Sequence, residues 1–116
     1  MRYGIVGSRS RRDSKSVVDF VKSIPQESVV ISGGCIGVDT WAVKSARMRG
    51  IKTVEHLPDK TGCSKHWEFT KAFHARNQKI AEDCDILVAF VSDDRKGGTE
   101  DTIRRARKLG KEIIIK

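Results

Sequence analysis

Aromatic side chains make up only 6% of this 116-residue chain, proline occurs twice and cysteine three times. The shortage of aromatics leaves Tyr3, Trp41 and Trp67 as thin material for stacking nucleic-acid bases. Cys35, Cys63 and Cys84 are odd in number and widely spaced, so they form neither a disulfide framework nor a CxxC metal pattern; this suits a reducing compartment. His56, Cys63, His66 and His74 lie near one another without zinc-finger spacing, and no metal or cofactor is expected. No apolar run approaches the roughly 18 residues of a membrane span. The opening MRYGIVGSR lacks a signal peptide's apolar stretch, and the expectation is a cytoplasmic protein away from membranes. There is no Gly-Lys-Ser/Thr phosphate loop and no GxGxxG, so neither an ATP- or GTP-driven motor nor a dinucleotide oxidoreductase is indicated.

What the chain does carry is positive charge, 23 basic against 15 acidic residues for a net +8, spread over both halves. Such an excess favours polyanionic partners, either phosphorylated small molecules or nucleic acid. The chain length suits one domain over residues 1–116, with no linker or repeat.

Short apolar runs alternate with stretches of helical period. Strands are predicted at Tyr3–Val6, Val29–Ile31, Thr53–Leu57, Ile86–Phe90 and Ile113–Ile115. Helices fall between them. The first carries Val17, Phe20, Val21 and Ile24 and stops at Pro25. The second runs over about 38–49, with Val38, Trp41, Ala42, Ser45 and Met48 on its apolar side. The third spans about 67–82 and the fourth about 99–109, where Gly110 ends it. This order predicts an α/β fold: a single Rossmann-like domain with an open, mostly parallel five-stranded sheet and helices on both faces.

In such sheets ligands bind beyond the carboxyl ends of the strands. Gly7 follows the first strand, Gly33, Gly34 and Gly37 follow the second, and Gly97 and Gly98 precede the last helix, so every glycine group sits on one sheet edge. Glycine lets backbone N–H groups approach a ligand, and a helix start favours negative charge. Ser8 and Arg9 add a hydroxyl and a guanidinium to the first turn. Arg11 and Arg12 are read as solvent-exposed. Cys35 stands close to a helix start, where a thiol's pKa falls, but no histidine partner is placed beside it. Asp39 has two readings, as a complement to the helix dipole or as an acceptor for ribose hydroxyls.

The third helix holds an oddity. Phe69, Phe73 and Ile80 form one stripe, Arg76 falls within it and Asn77 lies at its edge. A charge on an apolar face is costly unless it is paired, for instance with Asp39 or Asp101, or directed at a ligand phosphate or base. Arg104, Arg105, Arg107 and Lys108 read as a solvated outer face of the last helix.

Four segments in order, GSR, SGGCIGVDTWA, HARNQKIAEDCDILVAF and KGGTEDTIRRARKLGK, resemble the SLOG superfamily, in particular its small single-domain YspA/YpsA-like members. That superfamily includes the LOG phosphoribohydrolases, molybdenum-cofactor carriers and the DNA-processing protein A of natural transformation. The resemblance implies a Rossmann-like domain that binds a nucleotide or nucleotide-derived ligand, with Gly7, Ser8, Arg9, Gly33, Gly34, Asp39, Gly97, Gly98 and Thr99 lining the pocket. It also points to a LOG-like hydrolase in which Arg76 matches the catalytic arginine. Asp101 stands where LOG enzymes have glutamate, one methylene shorter, with Glu100 adjacent; the Lys96-Gly97-Gly98-Thr99 segment lacks the proline of the LOG motif. A displaced carboxylate forfeits rate, so binding without chemistry is the expected function. A nucleoside 5′-monophosphate phosphoribohydrolase and a single-stranded nucleic-acid binder are the alternatives, and relatives of this kind often form dimers.

Overall fold

A computed structural model describes every residue, Met1–Lys116. Five strands and four helices alternate strictly: β1 (Arg2–Gly7), α1 (Ser14–Ser23), β2 (Val29–Ser32), α2 (Val38–Met48), β3 (Lys52–Glu55), α3 (His66–Asp83), β4 (Ile86–Phe90), α4 (Gly98–Lys108) and β5 (Glu112–Ile115). The strands form one sheet in the order β3-β2-β1-β4-β5. Every neighbouring pair is parallel, so the sheet is wholly rather than mostly parallel.

This order follows from the crossovers. After β1 the chain steps outward twice through α1 and α2; after β3 it returns through α3 to β4 on the other side of β1. Right-handed connections then place α1 and α2 on one face and α3 and α4 on the other. Two apolar cores result. Val17, Val21, Val38, Ala42 and Ala46 pack on Ile5, Val30, Val88 and Phe90, while Ile80, Ala81, Ile103 and Ala106 pack on Val6, Ile31, Leu87 and Ala89. The sheet's central strands are covered on both sides, and all five residues of β4 are buried. No helix is long and apolar enough to cross a membrane.

Three details depart from the sequence pattern. β3 ends at Glu55 rather than Leu57, because its only neighbour, β2, leaves the sheet after Ser32; the last backbone contact is His56 N–H donating to the Ser32 carbonyl at 2.8 Å. Leu57 is consequently exposed. On α2, Val43 and Ala46 are buried while Met48 is 80% exposed. The helix face is set by Val38, which lies where a Cβ on Gly7 would stand, 2.4 Å from Val38 Cγ2. That close seating rolls the Val38–Ala42–Ala46 line onto β1 and turns Met48 outward. The third departure is on α3, where burial starts only at Arg76, and Phe69 and Phe73 on the preceding turns are half-buried.

Strand order reverses between β1 and β4, which marks the crevice at their carboxyl ends as the place where side chains from both halves of the sheet meet.

Candidate functional site

A cleft of about 570 Å³ opens at that reversal point. Its walls are the β1–α1 turn (Gly7, Ser8, Arg9), the start of α4 with the loop before it (Lys96, Gly97, Gly98, Thr99) and the inner side of α3. Cys35 and Asp39 close it from the β2–α2 turn. The three glycine-bearing turns thus converge on one space.

Arg76 sits on the floor, 8% exposed. Its Nη1 donates to the Gly33 carbonyl at 2.5 Å, its Nε to Asn77 Oδ1 at 2.9 Å, and its Nη2 reaches Cys35 Sγ at 3.5 Å. The guanidinium also lies 5.8 Å from the centre of the Phe73 ring. No carboxylate comes within 4.0 Å of it, so neither Asp39 nor Asp101 forms the ion pair that its position on an apolar stripe had allowed. A buried cation whose hydrogen bonds all go to neutral acceptors, with Asp39 near it but outside ion-pair distance, keeps charge available to the cleft.

Asp39 has a different task. Its Oδ2 accepts from the Gly33 N–H at 2.9 Å and the Cys35 N–H at 3.3 Å, which folds the β2–α2 turn back onto the first turn of α2. Burial raises its pKa, against the pull of those two N–H groups and of nearby Arg76. Asp101 is equally committed. It accepts from Arg105 Nε at 2.8 Å and Asn77 Nδ2 at 3.1 Å, with Arg104 Nη2 at 3.5 Å. Burial works to raise its pKa, but the Arg105 and Asn77 hydrogen bonds outweigh it and the carboxyl lies below its ordinary value.

The helix starts around the cleft differ in chemistry. At α3, the Glu68 carboxylate accepts from the Lys65 N–H at 3.0 Å and closes the first turn. By contrast, α2 and α4 begin after Gly37 and Gly97, at φ of 97° and 98°, and no side chain caps either. At α4 the unpaired amides around Gly98 and Thr99 border the cleft, where partial positive charge collects.

Of the residues singled out in the sequence, Gly7, Ser8, Arg9, Cys35, Asp39, Arg76, Asn77, Gly97, Gly98, Thr99 and Asp101 line this cleft. Gly33, Gly34, Gly37 and Glu100 do not. Gly33 lies behind Arg76, Gly34 packs on Leu57, and Gly37 is the N-cap of α2. Glu100 faces Arg95, accepting two hydrogen bonds at 2.8 and 3.1 Å. Arg11 is also structural: its Nη1 ties the Val91 and Lys116 carbonyls together at 2.9 Å each, and its other nitrogens pair with Asp13.

The outer face assigned to α4 needs correction. Arg104 lines the cleft, and Arg105 is half-buried between Asp101 and Gln78, because the helix packs along α3 and that side is no longer free. Thr70, Phe73, His74, Lys96 and Thr102 also border the cleft. Thr70, Phe73, Arg76, Asn77 and Ile80 recur at three- and four-residue spacing along one side of α3, which is the signal that extends the site from Arg76 toward the helix start.

The backbone resembles a known one. In fold the chain is similar to DNA processing protein A (DprA) from Streptococcus pneumoniae, with a TM-score of 0.81 and 23% sequence identity. The match covers 98% of this chain and 49% of DprA, so the chain spans about half of that protein's length. No family model and no curated protein sequence matches this one. The shared feature is the Rossmann-like sheet with its covering helices.

Proposed function

We propose that the protein binds a nucleotide or nucleotide-derived ligand in the cleft between β1 and β4, as a sensor or carrier module. The observation that carries this reading is the buried Arg76 guanidinium, open to the cleft and without an acidic partner. A phosphate group there would receive the charge-assisted hydrogen bonds that Arg76 does not spend inside the protein, together with the N–H groups at the start of α4. Arg9 and Lys96 at the rim make no hydrogen bond or ion pair within the chain and are free to meet further phosphate oxygens. The half-buried Phe73 offers an apolar face for a base or sugar.

Hydrolysis of a nucleoside monophosphate fits this arrangement less well. Asp101 is tied to Arg105 and Asn77, and Glu100 turns away to Arg95, so neither of the two carboxylates that the hydrolase reading assigns to the chemistry is free to act on a ribose.

Single-stranded nucleic acid is the second reading. The similar fold belongs to a protein whose name assigns it to DNA processing, and the unpaired cations at the rim suit a phosphodiester backbone. Against it, Tyr3 and Trp41 pack on the core rather than at the cleft, which leaves Phe73 as the stacking surface there.

Thermal unfolding in the presence of AMP, ADP-ribose and a labelled oligonucleotide separates the readings. A rise in Tm with a mononucleotide, lost in Arg76→Ala, is the expected result. Binding of the oligonucleotide with a steep salt dependence and no effect of mononucleotides would transfer the site to nucleic acid.

A further inference from the structure

Four side chains are joined end to end beneath the cleft. Arg76 Nε donates to Asn77 Oδ1 at 2.9 Å, and Asn77 Nδ2 donates to Asp101 Oδ2 at 3.1 Å. Arg105 Nε donates to that same carboxylate oxygen at 2.8 Å. Asn77 Nδ2 also lies 3.4 Å from the Gly98 carbonyl, in the first turn of α4. The amide is 4% exposed and its orientation is forced. A guanidinium only donates and a carboxylate only accepts, so the amide oxygen must face Arg76 and its nitrogen Asp101.

The amide does two things that no charged side chain could do together. It ties Arg76 to the start of α4, bringing the guanidinium and the free helix amides into one frame. It also stands between Arg76 and Asp101, so the carboxylate is spent on Arg105 and Arg104 while the Arg76 charge remains available to the cleft. We infer that Asn77 is the positioning residue of an anion site, holding Arg76 in register with the α4 N-terminus as an uncharged spacer that prevents its neutralisation. This inference rests on the nucleotide-binding reading of the same cleft.

The test is a double-mutant cycle read by calorimetric titration with AMP on the full chain. Asn77→Ala is expected to weaken AMP binding about tenfold by freeing Arg76. In an Arg76→Ala background the same substitution should cost less than about twofold, since its effect passes through the guanidinium. Equal losses in both backgrounds would show an indirect structural effect and overturn the inference.

Asn77→Asp supplies an independent arm. The introduced carboxylate would sit beside Arg76 and oppose Asp101, so AMP affinity should fall at pH 8. The deficit relative to the unmodified protein should narrow at pH 5.5, as one proton is shared between the two carboxyl groups. The titratable and charged groups facing this pair are Arg76 and His74 on α3, Asp101, Arg104 and Arg105 on α4, and Asp39 on α2 through Arg76. All of them are present in the unmodified control. A deficit of equal size at both pH values removes the spacer role, and this arm decides the matter if the double variant does not fold. Failure of AMP to bind the unmodified protein is a separate outcome, and it would remove the nucleotide reading itself together with this inference.

Discussion

Gly33 and Arg76 share one volume: the guanidinium Nη1 stands 2.7 Å from where a Cβ on Gly33 would be, and it donates to that residue's carbonyl. On the other side the same Cβ would meet Asp39 Oδ2 at 3.0 Å. Thus the backbone of the β2–α2 turn, together with the Asn77 side chain, seats the cation of the cleft.

Gly33→Ala should therefore expel Arg76 from its seat. The expected cost is about 1–3 kcal/mol of stability from overpacking, together with loss of nucleotide affinity. Chemical denaturation and AMP titration of the one variant check both. Unchanged affinity would mean that the seat does not set the guanidinium.

Gly7→Ala tests the seating of α2. The new methyl would lie 2.6 Å from Val38 Cβ, an atom that no rotamer change can move. A loss of about 1–3 kcal/mol is expected, and Gly7→Ala with Val38→Ala should recover part of it. The urea midpoints of the two variants provide the measurement.

The acid limb of stability should depend on Asp101. Its folded pKa lies below the ordinary value of 3.8, so its contribution is complete above that value and disappears as pH falls through the lowered one. Asp39 has the opposite sign: its pKa is raised by burial, so acid favours the folded form at that site. Denaturation curves between pH 2 and 5 should be shallower for Asp101→Asn than for the unmodified protein. Its stability at neutral pH should be lower by about 2 kcal/mol, because Arg105 loses a charged partner.

The three thiols should separate by reactivity. Cys84 is fully buried and burial raises its pKa, whereas Cys35 and Cys63 are partly exposed. Alkylation with iodoacetamide, followed by peptide mass spectrometry, should spare Cys84. AMP should slow the modification of Cys35, which lines the cleft, and leave Cys63 unaffected.

Chromatography of AMP incubated with the protein should show no free base, given the commitments of Asp101 and Glu100. Base release abolished by Arg76→Ala would establish the hydrolase reading instead.

Much of the architecture was legible in the chain itself. Alternating apolar runs and helical periods placed all nine elements, because a strand covered on both faces must be apolar throughout and its crossover helix must repeat every 3.6 residues. The glycine turns were legible for the same kind of reason, since a local backbone requirement leaves a local mark. Tertiary structure alone decided what each polar residue does. Arg76 was visible as a charge on an apolar stripe, but its neutral partners come from Gly33, 43 positions away, and from its neighbour Asn77. The division between Asp101, which borders the cleft, and Glu100, which turns to Arg95, depends on how α4 rotates against α3. Periodicity in a chain records which side of an element is buried; the partner of a buried charge is set by distant segments that only folding brings within hydrogen-bond reach.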